Sequence, residues 1–199
     1  MNRFYRVVHA VARPVVRLLF PWTVTGLENV TGTEEKLVLC PNHPSAWDPV
    51  LICLALPGDF PISIRAKKEL IDIPVIGKII EKLGAFGVDR GHSDLNAVRK
   101  AIKTVRDGNA LLLFPEGTRS LYEGQVRPKG GVTMIAMRTG AVMLPVYVGG
   151  KKRIFHRTNI IFGTPYRPTT ATRHGTAEEY QSFADEIVRR AYALGKGEK

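Results

Sequence analysis

The sequence predicts a single α/β domain with a mostly buried central sheet flanked by helices. Along the chain, short apolar runs of strand length alternate with segments of helical periodicity. The runs "LVLC" and "ALLLF" are continuously apolar, which is typical of strands covered on both faces. The length of 199 residues sustains one hydrophobic core. This alternation of strands and helices indicates a layered α/β domain.

The first element is an amphipathic segment over residues 1–22. In a helical projection at about 100° per residue, one side collects Phe4, Val8, Val11, Val15, Leu18 and Leu19. Another side collects Arg6, His9, Arg13 and Arg17. We favour a helix in a membrane interface, with its arginines against anionic head groups; the alternative is a helix packed on its own domain with a solvated basic face. Pro14 is expected to kink this helix or divide it in two.

The remaining elements follow from apolar runs, helical periodicity and capping residues. Strands are predicted at 37–40, 62–65, 110–114, 142–148 and 159–162. Helices are predicted at 47–56, 73–83 and 93–107. A final helix is expected from Thr176, because Thr176 and Glu179 can form a capping box. The chain therefore divides into the amphipathic segment, one domain over 23–195 and a flexible tail over 196–199.

Charge and cysteine content limit the functions that the chain can have. A formal net charge of +11 predicts attraction to nucleic acid, an anionic membrane surface or phosphorylated substrates. Cys40 and Cys53 lie in or beside apolar runs, so buried free thiols in a reducing compartment are expected. A zinc site of Cys40, His43 and Asp48 is conceivable, but no second Cys/His cluster supports it, and we predict neither metal nor cofactor.

Two predicted strands end in a similar way. "LVLCPNHPSAWD" and "LLLFPEGTRS" both pass from an apolar run through a proline into polar residues. Ligands of open α/β sheets bind at the carboxyl ends of the strands. Both polar clusters are therefore candidates for one pocket.

His43 and Asp48 are the candidate proton-transfer pair. Pro44 and Pro49 stiffen the loop between them, and the five-residue offset lets the carboxylate reach the imidazole. A carboxylate on one ring nitrogen fixes the tautomer, so that the other nitrogen can accept a proton. The alternative is a surface histidine followed by an aspartate that caps a helix. No G-x-S-x-G, P-loop or dinucleotide motif is present, so the natural attacking group is a hydroxyl of the substrate.

A series of motifs resembles the 1-acylglycerol-3-phosphate acyltransferases, which carry an N-H-x-x-x-x-D signature. "NHPSAWD" resembles that signature, and "AKKEL" with "IPVIG" resembles the segment after it. "GAFGVDR" resembles the second motif, "FPEGTRS" with the later Lys129 the third, and "LPV" the fourth. These blocks cover most of 37–148 in the family's order. Gly87 departs from the pattern, since the family usually has a bulky residue there.

The resemblance implies transfer of a fatty acyl group from acyl-CoA or acyl-acyl carrier protein to the sn-2 hydroxyl of lysophosphatidic acid, which gives phosphatidic acid. His43 would be the general base and Asp48 would orient it, whereas Asn42 would hold the loop. The positions that match the family's phosphate-binding cations are Lys67, Arg90, Arg119 and Lys129. Glu116 would hold a glycerol hydroxyl or fix Arg119, and Gly117 would let the backbone approach the substrate.

The resemblance also implies a peripheral, monotopic enzyme on the cytoplasmic face of the cell membrane, with an anionic lipid surface as partner. Two alternatives stay open: the same chemistry on glycerol-3-phosphate or another lysophospholipid, and a non-catalytic basic protein that binds membranes or nucleic acid. No nucleic-acid partner is expected, because no zinc-finger or RNA-binding signature occurs. Residues outside the motifs are expected at the surface: the histidines His9, His92, His156 and His174, and the basic turn 151–153.

Overall fold

A sheet of seven strands organises the part of the chain that the structure, a computed structural model, describes: residues 3–67, 85–88, 95–170 and 175–197. The strands are β1 (Trp22–Thr25), β2 (Leu37–Pro41), β3 (Ile62–Lys67), β4 (Ala85–Val88), β5 (Ala110–Leu112), β6 (Val142–Val148) and β7 (Thr158–Phe162). Their order is β1-β7-β6-β2-β5-β3-β4, and every neighbouring pair is parallel except β6 and β7. The predicted α/β class is confirmed.

Helices cover both faces of the sheet. They are α1 (Arg3–Leu19), α2 (Glu28–Thr31), α3 (Asp48–Ala55), α4 (Leu95–Arg106), α5 (Gly131–Thr139) and α6 (Ala177–Lys196). The predicted capping box of Thr176 and Glu179 begins α6. The helix predicted at 73–83 lies outside the described residues. Strands β1 and β4 and helices α2 and α5 were not predicted from the sequence. Strand β1 reads "WTVT", whose alternating polar residues suit a strand with one neighbour.

Consecutive residues of the central strands belong to two separate hydrophobic clusters. Leu39, Leu112 and Leu144 pack in the cluster that includes α3. Their predecessors Val38, Leu111 and Met143 pack in the cluster with α4, α5 and α6. Because side chains alternate across a strand, continuous apolar runs bury both faces of the sheet.

Helix α1 packs on the domain through a different side from the predicted apolar stripe. Tyr5 and His9 are buried, and Ala12 and Val16 pack against the core. The stripe itself is largely exposed, with Val11 at 64% and Leu18 at 71%. No helix in the described residues has the length and apolar character that crossing a membrane requires.

Helix α1 departs from the sequence expectations at two points. Of the two outcomes expected at Pro14, a kink or a division, the division does not occur, because Ala10 and Pro14 both face solvent and water can satisfy the carbonyl that loses its donor. His9 is buried rather than on the surface, and its Nε2 lies 3.0 Å from the carbonyl oxygen of Leu56 at the end of α3. His156 is exposed as expected. His92 and His174 lie outside the described residues.

Candidate active site

The loop between β2 and α3 brings His43 and Asp48 into contact. His43 Nδ1 lies 3.0 Å from Asp48 Oδ2, and the same oxygen accepts the backbone N–H of Ser45 at 2.7 Å. Asp48 is completely buried, whereas the His43 side chain keeps 13% of its surface exposed. With the Nδ1 proton donated to Asp48, the Nε2 lone pair is available to accept a proton from a substrate.

Asn42 fixes the start of this loop. Its side-chain amide donates to the Val148 carbonyl at 3.2 Å, and its Oδ1 accepts the Val148 N–H at 2.7 Å. The backbone N–H of Asn42 donates to the Val146 carbonyl. The side chain thus continues the β2–β6 ladder by one further step where the main chain turns away, which is the loop-holding role expected of it.

Lys152 was expected in a solvated turn, and for this residue the expectation was wrong. Its Nζ lies 2.9 Å from Asp48 Oδ1, and its side chain is only 1% exposed. Nζ also donates to the carbonyls of Gly149 and Gly150. Burial lowers the pKa of Lys152, while Asp48 opposes that shift. Nothing in the sequence distinguishes Lys152 from its basic neighbours.

The "FPEGTRS" loop that follows β5 lies against the dyad. The Ser120 N–H donates to the His43 carbonyl at 2.9 Å, and the Phe114 ring centroid is 4.0 Å from that of His43. The cause is topological, because β2 and β5 are parallel neighbours whose carboxyl ends share one edge. The two polar clusters therefore lie in contact with each other, as expected.

Glu116 turns inward from this loop. It is 1% exposed, and its carboxylate accepts the Tyr192 hydroxyl of α6 at 3.3 Å. Burial raises the pKa of Glu116, and hydrogen bonds from Ser120, Tyr192 and the His43 backbone offset part of that shift. The expected Glu116–Arg119 contact does not occur among the described side chains, because Glu116 is directed to α6. Tyr192, which lies beyond the motifs, was not anticipated from the sequence.

Gly117 and Lys129 are packed together. Gly117 has φ +69°, and a Cβ built on it would lie 3.3 Å from Lys129 Cε. The Lys129 N–H donates to the Pro115 carbonyl at 2.9 Å, which closes the loop on itself. Arg119 is exposed two residues beyond Gly117. The Lys67 backbone belongs to β3, but its side chain and the whole of Arg90 lie outside what the structure describes.

Residues 21–149 match the family model described as Acyltransferase, and this segment contains both halves of the site. The chain belongs to the acyltransferase family. The match ends at Gly149, so that Lys152, which pairs with Asp48 in this acyltransferase, lies just outside it.

Several relatives carry names that give the family a more specific activity. A 1-acyl-sn-glycerol-3-phosphate acyltransferase of Borreliella burgdorferi is 34% identical over 144 residues, which are 71% of this chain and 56% of that protein. One from Bacillus subtilis is 28% identical over 171 residues, 84% of each chain. This acyltransferase thus spans little more than half the length of the first of these relatives. The solved structure of the 1-acyl-sn-glycerophosphate acyltransferase PlsC of Thermotoga maritima has the same fold, with TM-score 0.74, 24% identity and coverage of 98% of this chain and 79% of that one.

Proposed function

We propose that this acyltransferase moves a fatty acyl group from acyl-CoA or acyl-acyl carrier protein to the sn-2 hydroxyl of lysophosphatidic acid. The single observation that carries the proposal is the buried His43–Asp48 contact with the second ring nitrogen of His43 available. Family membership and the names of the relatives support the choice of acceptor. The product is phosphatidic acid.

His43 acts as the general base. Nε2 takes the proton of the sn-2 hydroxyl while the hydroxyl oxygen attacks the thioester carbonyl. Asp48 accepts the Nδ1–H of His43 and stabilises the imidazolium that forms. The tetrahedral intermediate then breaks its C–S bond, and the imidazolium returns the proton to the departing sulfur. The ester, the free thiol and neutral His43 remain.

Cations beside the dyad bind the phosphate of the acceptor. Arg119 and Lys129 are exposed, and both belong to or pack on the loop that bonds to the His43 carbonyl. Gly117 admits the phosphate close to the backbone, since any side chain there would push against Lys129. Lys67 and Arg90 complete the cation set by their motif positions, and Glu116 supports the loop from beneath.

The membrane face of the enzyme consists of α1 and the surface next to its end. The exposed row of α1 is continued by Phe155, whose N–H donates to the Leu19 carbonyl at 2.7 Å. Phe155 has φ +63° and is 70% exposed, and Ile154 is 55% exposed. A strained backbone that presents a large apolar side chain to solvent suits insertion into lipid.

The same face extends to the active-site loop. Trp47 directly precedes Asp48, is 43% exposed and packs against Phe20, with ring centroids 4.8 Å apart and planes tilted by 36°. Residues 1–22 therefore serve as the membrane-associating segment, 23–195 as the acyltransferase domain and 196–199 as a tail. The enzyme is peripheral on the cytoplasmic face, where anionic lipids attract a chain of net charge +11.

The test is acyl transfer from labelled acyl-CoA and acyl-acyl carrier protein to lysophosphatidic acid in vesicles, with wild type and His43→Ala. We expect phosphatidic acid from the wild type and a loss of about 10²-fold or more in the variant, the usual contribution of a general base. Glycerol-3-phosphate in a parallel arm tests the other acceptor. Equal rates for wild type and His43→Ala, or product with glycerol-3-phosphate only, would overturn the proposal.

A further inference from the structure

We propose that Lys152 is a positioning residue for the proposed acyl transfer, one that keeps Asp48 ionised and oriented and holds the His43–Asp48 pair ready to release its proton. The inference rests on the proposed function for its consequence in catalysis. Its electrostatic part concerns the folded protein alone. The segment that carries Lys152, residues 149–157, joins β6 to β7, and all of it after Gly149 lies beyond the matched family region.

The two oxygens of Asp48 have separate partners. Oδ2 faces His43 Nδ1 and the Ser45 N–H, at 3.0 and 2.7 Å. Oδ1 faces Lys152 Nζ at 2.9 Å. The carboxylate is thus held from both sides, and its rotation would break a contact at each oxygen.

Burial strengthens the electrostatic interaction between Asp48 and Lys152. The Asp48 side chain is 0% and the Lys152 side chain 1% exposed, so little solvent screens the pair. The carbonyls of Gly149 and Gly150 take further Nζ hydrogens, which gives the ammonium three oxygen partners. Burial lowers the pKa of Lys152 and Asp48 opposes that effect, so the charge of Lys152 depends on the carboxylate beside it.

The positive charge of Lys152 acts on the His43–Asp48 pair, and so on the proton that Nε2 of His43 accepts and releases. After the proton leaves, the pair carries one negative charge, which Lys152 stabilises directly. With the proton present, the pair is neutral overall wherever the proton resides, and Lys152 stabilises it less. Lys152 therefore favours the state in which Asp48 is charged and His43 is neutral, which is the state in which His43 can accept a proton from the substrate.

Other charged groups around the pair are few in the described part of the chain. Glu116, from the loop after β5, is the carboxyl group that acts electrostatically on His43. The effect of a charged Glu116 on His43 is opposite to that of Lys152, because a negative charge favours the imidazolium. The titration of His43 must therefore be followed with Glu116 intact, so that the change measured is due to Lys152.

The first measurement is an NMR titration of the His43 ring in the folded protein without substrate, with the resonance assigned by its loss in His43→Ala. In Lys152→Met we expect the titration midpoint to rise by roughly 1 pH unit, the usual size of one neighbouring charge. Lys152→Arg keeps the charge and should return the midpoint toward that of the wild type. Lys103→Met is the matched control, because it removes a lysine of α4 from an exposed ion pair with Asp107, just beyond that helix.

A second uncharged variant separates the effect of the lost charge from the effect of misfolding. Lys152→Gln retains donors for the Gly149 and Gly150 carbonyls but lacks the charge, and circular dichroism will establish the fold of both variants. The expected rise of the His43 midpoint in an uncharged variant is about 1 pH unit. A folded uncharged variant whose midpoint stays within about 0.2 pH unit of the wild type overturns the proposal. So does an equal change in Lys103→Met.

The catalytic consequence is measured on the same proteins. The acid limb of the kcat/KM profile for acyl transfer should move to higher pH in Lys152→Met, with kcat lowered about tenfold or more through loss of carboxylate orientation. A wild type without acyl transfer would refute the proposed function but leave the NMR result to decide the role of Lys152. Transfer by the wild type with an unmoved limb and an unmoved midpoint would refute the role of Lys152 alone.

Discussion

Replacing Asn42 by alanine removes one side chain and leaves two backbone groups without partners. Both bonds of the amide go to Val148, whose side chain is completely buried and whose N–H and carbonyl point toward β2. The neighbouring ladder of β7 uses the Gly149 N–H instead, which bonds to the Asn159 carbonyl at 2.9 Å. No other described strand can therefore satisfy the two groups.

The structure sets the size of the effect. Each buried polar group left unsatisfied costs about 1–3 kcal/mol, so the two groups together should lower the free energy of unfolding of Asn42→Ala by about 2–6 kcal/mol. At about 2–4 °C per kcal/mol for a chain of this length, Tm should fall by at least about 4 °C. Because His43 follows directly, the catalytic rate should fall as well, through displacement of the loop.

Urea unfolding followed by circular dichroism measures the loss, with the m-value checked for two-state behaviour. Asn159→Ala is the control, since its amide oxygen accepts a single exposed bond from Thr23 at 2.7 Å. That variant should lose less than about 0.5 kcal/mol, as surface substitutions do. A loss below about 1 kcal/mol in Asn42→Ala, or one equal to that of the control, would contradict the accounting of buried groups.

Three further changes test the site and the membrane face. Gly117→Ala should destabilise the fold by about 1–2 kcal/mol through its left-handed backbone and should also raise the KM for the acceptor, because the new Cβ displaces Lys129; urea unfolding and kinetics measure both. Glu116→Gln should raise stability near pH 7, and this gain should vanish below the ordinary carboxyl pKa of 4.5, where both side chains are neutral. Leu18→Asp should weaken sedimentation with anionic vesicles while leaving Tm within a few degrees, because Leu18 is 71% exposed.

Each of these changes has a control or a contrary outcome. Gly124→Ala shares the positive φ of Gly117 but has open space around the new Cβ, so it should destabilise the fold without changing KM. The sign for Glu116 follows from linkage: burial raises its pKa in the folded state, so the contribution of Glu116 to wild-type stability falls as pH rises above 4.5. A stability difference between wild type and Glu116→Gln that does not change with pH would contradict this. Unchanged vesicle binding by Leu18→Asp would remove α1 from the membrane face.

The sequence was most informative about the two loops that follow continuous apolar strands. The apolar runs before Pro41 and Pro115 identified β2 and β5, and parallel pairing brought the polar residues after them together. The sequence also revealed the amphipathic character of α1, but not which face packs. Tyr5 and His9 bury themselves through contacts with distant residues, such as the Leu56 carbonyl, which no periodicity within α1 can reveal.

Lys152 and Tyr192 could not be predicted for the same reason. Each reaches the site from a segment far along the chain, and each belongs to a residue type that is usually exposed or only half-buried. Burial of a lysine depends on an acceptor supplied by another element, here Asp48 of α3. Local pattern carries no information about such a partner.

The antiparallel pairing of β6 and β7 has a consequence for when the site becomes ordered. Because β7 runs back from the edge where β6 ends, residues 149–157 are closed at both ends by the sheet instead of leading into a crossover helix. A lysine side chain loses up to about 2 kcal/mol of rotamer freedom when it is fixed. In this fold that entropy is lost once, during folding, when the hairpin forms. A substrate therefore meets a carboxylate and a base already in place, and none of its binding energy is needed to arrange them.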